Sequence, residues 1–198
     1  HNNISVYPSG GVDNEVFRFK NGEEKGLIGY AGRLEKSKNI ELLIKVVNEN
    51  KCLNCEIVGN GSEIEYLKSQ VKKLDLTNRV KFLEAKGQID LADWYGKLDY
   101  IAYLSESESL GLVPLEAIVC GALPVLTDIE AFREVQNVLS DVRLCESNVP
   151  SVLSLIKEYE ALEQKEREKL RIKNSKIVLK NYSSENLKWT LYDIFQSK

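Results

Sequence analysis

The chain has 198 residues, 43% hydrophobic and 29% charged, with 27 Lys and Arg against 30 Asp and Glu for a formal charge of −3. A chain this long buries roughly 70% of its unfolded surface, and this composition excludes disordered, low-complexity and collagen-like classes. No apolar run is long enough to cross a bilayer as a helix, and the slight acidic balance argues against a general nucleic-acid binder.

Residues 4–11 read as a short extended piece ending in Pro8-Ser9-Gly10-Gly11. The run 27–31 reads as a strand closed by Gly32, and 40–47 has helical apolar spacing. A strand is expected at 55–58, closed by Gly59-Asn60-Gly61, then a helix at 64–74. The alternation continues with a strand at 80–83, a helix at 89–95 and a strand at 100–104. A helix at 113–119 carries Pro114 in its first turn, a favoured place for proline. A strand at 123–126, a helix at 132–138 and a last strand at 142–145 follow. After Pro150 the strands stop, and 151–159, 163–180 and 184–196 read as helices. Strands alternating with helices imply right-handed crossovers and a parallel sheet covered on both faces. The expected fold class is therefore α/β: one Rossmann-like domain over 1–198, with a helical tail from 150 and no internal repeat.

The single histidine is His1, so a Ser-His-Asp triad, a Cys-His dyad and histidine metal sites are not expected within the chain. Four cysteines are too sparse for a disulfide scaffold and read as reduced, which makes the expected compartment cytoplasmic. Cys52 and Cys55 form a close pair, but Cys120 and Cys145 do not supply a second one, so no metal is expected. The chain has no methionine and no charged-then-apolar leader, and reads as a piece of a longer protein. The basic residues from Lys165 to Lys180 are interleaved with Glu163, Glu166 and Glu168 and read as a solvated helix face. Trp94 and Trp189 read as packing residues.

In an open parallel sheet, ligands bind beyond the carboxyl ends of the strands. Four strand-to-helix loops therefore matter. The first carries Gly32, Arg33 and Lys38: glycine permits close backbone approach, while arginine and lysine suit a diphosphate. Solvated charge at a helix start is the plainer reading of the same residues. The second is Gly59-Asn60-Gly61-Ser62, either an anion-favouring helix start or a plain turn capped by Ser62. The third places Glu108 and Glu116 eight residues apart around a glycine turn, with backbone amides from Ser109 to Val113 at a helix start. Each carboxylate has two acceptor oxygens and suits a vicinal diol. Acids complementing a helix dipole are the alternative. The fourth, Thr127 to Glu134, reads equally well as a capped helix start.

Taken together these segments resemble the C-terminal, donor-binding domain of the GT-B glycosyltransferases, specifically the retaining family 4, or group 1. Tyr7-Pro8-Ser9-Gly10-Gly11-Val12-Asp13 is similar to the family's Pro-Asn-Gly-Val-Asp opening, and Gly32-Arg33 with Lys38 to its Gly-Arg…Lys element. Val58-Gly59-Asn60-Gly61 resembles its Val-Gly-x-Gly loop, and Glu108 to Glu116 its Glu-x7-Glu signature, followed by Cys120-Gly121-Ala122-Leu123-Pro124-Val125. The resemblance implies that Arg33 and Lys38 hold the nucleotide diphosphate and stabilise the leaving group, and that Glu108 contacts the donor sugar. It implies that amides of Leu110, Gly111 and Leu112 bind phosphate, that Glu116 binds the ribose, and that Gly59, Gly61, Lys81, Phe82 and Leu83 lie near the base. It further implies glycosyl transfer with retention, a nucleotide-sugar donor with a UDP-sugar favoured, and no metal or other cofactor. The acceptor, a glycan or lipid-linked molecule in bacterial surface polysaccharide synthesis, would be held by an N-terminal domain outside this chain. Full-length relatives often work at the inner membrane face, so peripheral membrane association is part of the expectation, and the isolated domain is expected to turn over poorly. A non-catalytic binding or partner module, or a sugar-nucleotide epimerase of the same fold, are the alternatives. The sequence departs from the family pattern at Ser9-Gly10-Gly11, at Ser109-Leu110 and at Glu130-Ala131, where two glycines are frequent.

Overall fold

A computed structural model describes residues 10–20, 22, 26–108 and 111–186. Six short apolar runs form the strands: β1 (Leu27–Ala31), β2 (Asn54–Val58), β3 (Val80–Leu83), β4 (Tyr100–Tyr103), β5 (Leu123–Thr127) and β6 (Leu144–Cys145). All pair in parallel, in the order β3-β2-β1-β4-β5-β6. β1, β4 and β5 are buried at every position, as strands covered on both faces must be. β3, at one edge, is only partly buried.

Among the described residues seven α-helices cover the sheet: α1 (Ile40–Glu49), α2 (Ile64–Lys73), α3 (Gln88–Tyr95), α4 (Leu112–Val119), α5 (Glu130–Val138), α6 (Val149–Ala161) and α7 (Gln164–Tyr182). α1 packs with α2 and α6, while α3, α4, α7 and α5 contact one another in series. The strand order reverses direction at β1, so right-handed crossovers place these two groups on opposite faces. α4 is buried almost all round, because it lies between β4, α3 and α7.

The expected elements match within a few residues at their ends. β6 is shorter than the expected 142–145, since Val142 belongs to the turn before it. The helix after Gly61 is entered through Glu63 rather than capped by Ser62. The helices after Pro150 are part of the fold: the Tyr159 hydroxyl donates to the Pro124 carbonyl at 3.0 Å, and α7 lies on α4 and α5. The solvated reading of α7 holds for its lysines and fails at Arg171. Arg171 is buried and meets Asp99 at 2.6 Å, while the other Asp99 oxygen accepts from the amides of Gly26 and Leu27. This charge pair fixes α7 against the start of β1. Trp94 is a packing residue, as expected, and its indole N–H donates to Glu56 at 2.7 Å. The expected opening segment before Gly10 and the last expected helix, with Trp189, lie outside the described residues apart from 10, 11 and 184–186.

Candidate functional site

β1 and β4 are neighbours, but the chain leaves them toward opposite edges, so a crevice opens beyond their carboxyl ends. The loop after β1 is set by the loop after β2. The Gly32 amide donates to Val58 at 3.0 Å, Leu34 to Asn60 at 3.0 Å, and Glu63 to Leu34 at 2.9 Å. This lacing needs bare backbone. A Cβ on Gly59, which has φ +132°, would stand 2.0 Å from the Gly32 carbonyl oxygen, and one on Gly61 would stand 2.4 Å from that of Leu34. Leu34 is fully buried and anchors the first loop. A single 3-10 turn (Lys36–Lys38) follows, ending at Asn39 in the left-handed region with φ 51°. The Asn39 amide group donates to the Ser147 hydroxyl at 3.0 Å, which fixes this turn against the loop after β6.

The turn carries Lys38 to the third loop. Its Nζ lies 2.7 Å from Glu108 Oε2, and both side chains are largely buried. The other Glu108 oxygen accepts from the Ser105 hydroxyl at 2.6 Å. Ser105 is itself buried, and its carbonyl accepts from Thr127 of β5 at 2.7 Å. The two loops thus meet around a cavity of about 310 Å³, lined by Gly32, Arg33, Lys38, Glu108 and Gly111 among others. The Arg33 side chain is 77% exposed and lies 3.1 Å from Glu35 at the rim.

α4 begins at this cavity. Gly111 precedes it in extended conformation, no side chain caps it, and its first turn carries no acid. The Leu112 and Val113 amides therefore have no partner within the helix, and the helix start favours an anion. Val113 lines the cavity, and Glu116 stands one turn further along the same helix face. Glu116 is buried, no described residue donates to its carboxylate, and burial pushes its pKa up to about 7.

The expected residues thus fall into groups. Gly32, Arg33, Lys38, Glu108 and Gly111 surround the cavity. Leu112 and Glu116 follow on α4, and Gly59 and Gly61 support the first loop from beneath. Lys81 is exposed, and Phe82 and Leu83 are half-buried on β3. That strand adjoins the second loop, since the Gly59 amide donates to the Leu83 carbonyl at 3.1 Å. Leu110 lies outside the described residues. The fourth loop contributes Phe132 to the wall, while Asp128 pairs with Arg133 at 2.6 Å on the exposed side.

Three aromatic wall residues and one support were not singled out from the sequence. The rings of Tyr30 and Tyr103 pack tilted with centroids 5.2 Å apart, and their hydroxyls donate to the carbonyls of Arg33 and Ala31. Phe132 and Ser105 are the others. Aromatic residues at strand ends were the available signal for the tyrosines. The four cysteines are unpaired, with Cys52 exposed and the rest buried.

This strand order and crevice define a Rossmann-like domain. Its fold matches that of Anabaena Alr3699/HepE in complex with UDP, with TM-score 0.82, 20% identity, 95% of this chain and 56% of that one. It also matches the C-terminal domain of a group 1 glycosyl transferase, LpcC, from Francisella tularensis, with TM-score 0.73, 21% identity, 87% of this chain and 99% of that one. Among curated proteins it is similar to D-inositol 3-phosphate glycosyltransferase of Corynebacterium jeikeium, 33% identical over 112 residues, 51% of this chain and 27% of that protein. The sulfoquinovosyl transferase SQD2 of Arabidopsis thaliana is 34% identical over 128 residues, 59% of this chain and 24% of that protein. The match therefore spans about a quarter of the length of these two relatives. The family model "Glycosyl transferases group 1" matches residues 12–178, and the chain belongs to that family.

Proposed function

We propose that this chain is the donor-binding half of a retaining glycosyltransferase that moves a sugar from a nucleotide diphosphate, UDP being favoured, to a glycan or lipid-linked acceptor. The observation that carries this reading is the meeting of Lys38 with Glu108 across the β1–β4 crevice, beside the uncapped start of α4. A diphosphate suits Lys38, Arg33 and the amides of Gly111, Leu112 and Val113. Glu108 then takes sugar hydroxyls, and Glu116 the ribose diol. The base lies toward Gly59, Gly61, Lys81, Phe82 and Leu83.

In the reaction, the bond from the anomeric carbon to the diphosphate oxygen breaks, and that oxygen takes up negative charge. Lys38 and Arg33 offset the charge as it grows, which is where fixed cations lower a barrier most. The acceptor hydroxyl oxygen bonds to the anomeric carbon on the same face, and its proton passes to the departing diphosphate oxygen. The acceptor is held by a further domain, so this chain alone binds donor with little turnover. Cytoplasmic action on a surface polysaccharide or glycolipid, with peripheral membrane association, completes the reading. Among the described residues no helix is long and apolar enough to cross a membrane.

The test is calorimetry with UDP, GDP and ADP and their sugars. Binding of at least one is expected, weakened by Lys38→Ala. A folded chain that binds none of them refutes the assignment.

A further inference from the structure

Glu108, assigned above to the donor sugar, is held at both of its oxygens, and the two holds differ in kind. Oε2 lies 2.7 Å from Nζ of Lys38, the residue assigned to the diphosphate. Oε1 lies 2.6 Å from the hydroxyl of Ser105, to which no part has yet been given. An ionised carboxylate has no proton to give, so the serine donates. The separation is that of a charge-assisted O–H···O bond. The neighbouring tyrosine hydroxyls are committed elsewhere, Tyr30 to the Arg33 carbonyl and Tyr103 to that of Ala31. Among the described residues, Ser105 and Lys38 are thus the side chains that hold Glu108.

Ser105 is itself fixed. It has no exposed surface, and it stands two residues past the end of β4. The last paired residues of β4 and β5 are Tyr103 and Leu126. Thr127, the next residue of β5 and also buried, extends the connection through its side chain: its hydroxyl donates to the Ser105 carbonyl at 2.7 Å. Two hydrogen bonds in succession therefore run from the sheet to Oε1, one into the loop backbone and one out to the carboxylate. A group supported in this way is located more precisely than one carried by a loop alone.

We infer that Ser105 is a positioning residue for the donor sugar: it anchors one oxygen of Glu108, so that the remaining lone pairs of the carboxylate face the sugar hydroxyls. This rests on the assignment of Glu108 to the sugar. The anchor matters most with donor bound, because phosphate oxygens then share Lys38, while the buried serine stays with the carboxylate. Ser105 itself does not touch the ligand. Without its hydroxyl Glu108 turns about its own side-chain torsions, and the part of the affinity owed to the sugar is what suffers.

The test separates sugar from nucleotide. Titration calorimetry on the whole chain compares the best-bound of UDP-glucose, UDP-N-acetylglucosamine, GDP-mannose and ADP-glucose with the same nucleotide diphosphate lacking its sugar. Ser105→Ala should weaken the sugar nucleotide about tenfold, as for one hydrogen bond to a charged group, and leave the bare diphosphate within about twofold. In a Glu108→Ala chain the serine has no carboxylate to hold, so adding Ser105→Ala should change neither affinity further. Thr127→Val keeps the shape of its side chain and should show a smaller loss of the same kind, about threefold, which tests the support without altering Ser105. Equal loss for both ligands, no loss for either, or a loss that persists without Glu108 overturns the proposal while the functional reading stands. A chain that binds no nucleotide, or whose preference between the two ligands is untouched by Glu108→Ala, overturns the assignment of Glu108 and this proposal with it.

Discussion

At the residue scale, Glu116 carries a pH signature with a definite sign. Burial raises its pKa from 4.5 to about 7 in the folded chain. Between those values the folded state holds a proton that the unfolded state has released, so stability falls as pH rises through this window and levels off above it. Glu116→Gln should abolish that fall and be more stable at pH 8 by about 1–2 kcal/mol, after discounting for partial solvation. Urea unfolding at pH 5 and pH 8 measures it, and an equal pH dependence in both proteins contradicts it. Nucleotide affinity should rise with pH through the same window, because the ribose hydroxyls donate to the ionised form. Lys38 and Arg33 also part company at this scale. Lys38 is largely buried and Arg33 exposed, so Lys38→Ala should cost binding more, about 1.5–3 kcal/mol against less than about 1.5 for Arg33→Ala. The sequence pointed to Lys38, Glu108 and Glu116 through their places in strand-to-helix loops together with the family resemblance. It did not disclose that Glu116 would lack a partner, because burial at that site comes from α3 and α7, which are remote in sequence.

At the scale of elements, the laced loops after β1 and β2 make a further prediction. Gly59→Ala should displace the first loop, since the added methyl meets the Gly32 carbonyl and the φ of +132° is foreign to alanine. A stability loss of about 1–3 kcal/mol is expected. Nucleotide binding should fall with it, although residue 59 is separated from Lys38 by a whole loop. Titration calorimetry on the folded variant checks this, and wild-type affinity would disprove it. The sequence left Gly59 and Gly61 open between an anion-favouring helix start and a plain turn, and the resemblance set them near the base. The structure gives them the prior task of admitting a neighbouring backbone, a role that only the pairing of β1 with β2 brings out. The strands themselves were legible because a strand buried on both faces is a short unbroken apolar run, bounded by glycine or charge.

For the whole molecule, the chain after Pro150 holds the sheet together. Arg171 and Asp99 join α7 to the amino ends of β1 and β4. Arg171→Met leaves a buried aspartate without its cation and should cost about 3–5 kcal/mol in denaturant unfolding. Replacing both partners by apolar residues should recover much of that loss, whereas a surface pair would change little either way. The interleaved charges of α7 concealed this, since one inward-facing arginine among several outward lysines leaves no local mark in the sequence.

The Lys38–Glu108 contact gives the crevice its own counter-ion, and the Arg33–Glu35 pair does the same at the rim. Seen from a few Debye lengths away, such a mouth has almost no field with which to draw in an anion. Capture of a nucleotide should therefore proceed at a rate nearly indifferent to added salt, and discrimination should begin only after touch, when phosphate oxygens replace a carboxylate beside the ammonium group.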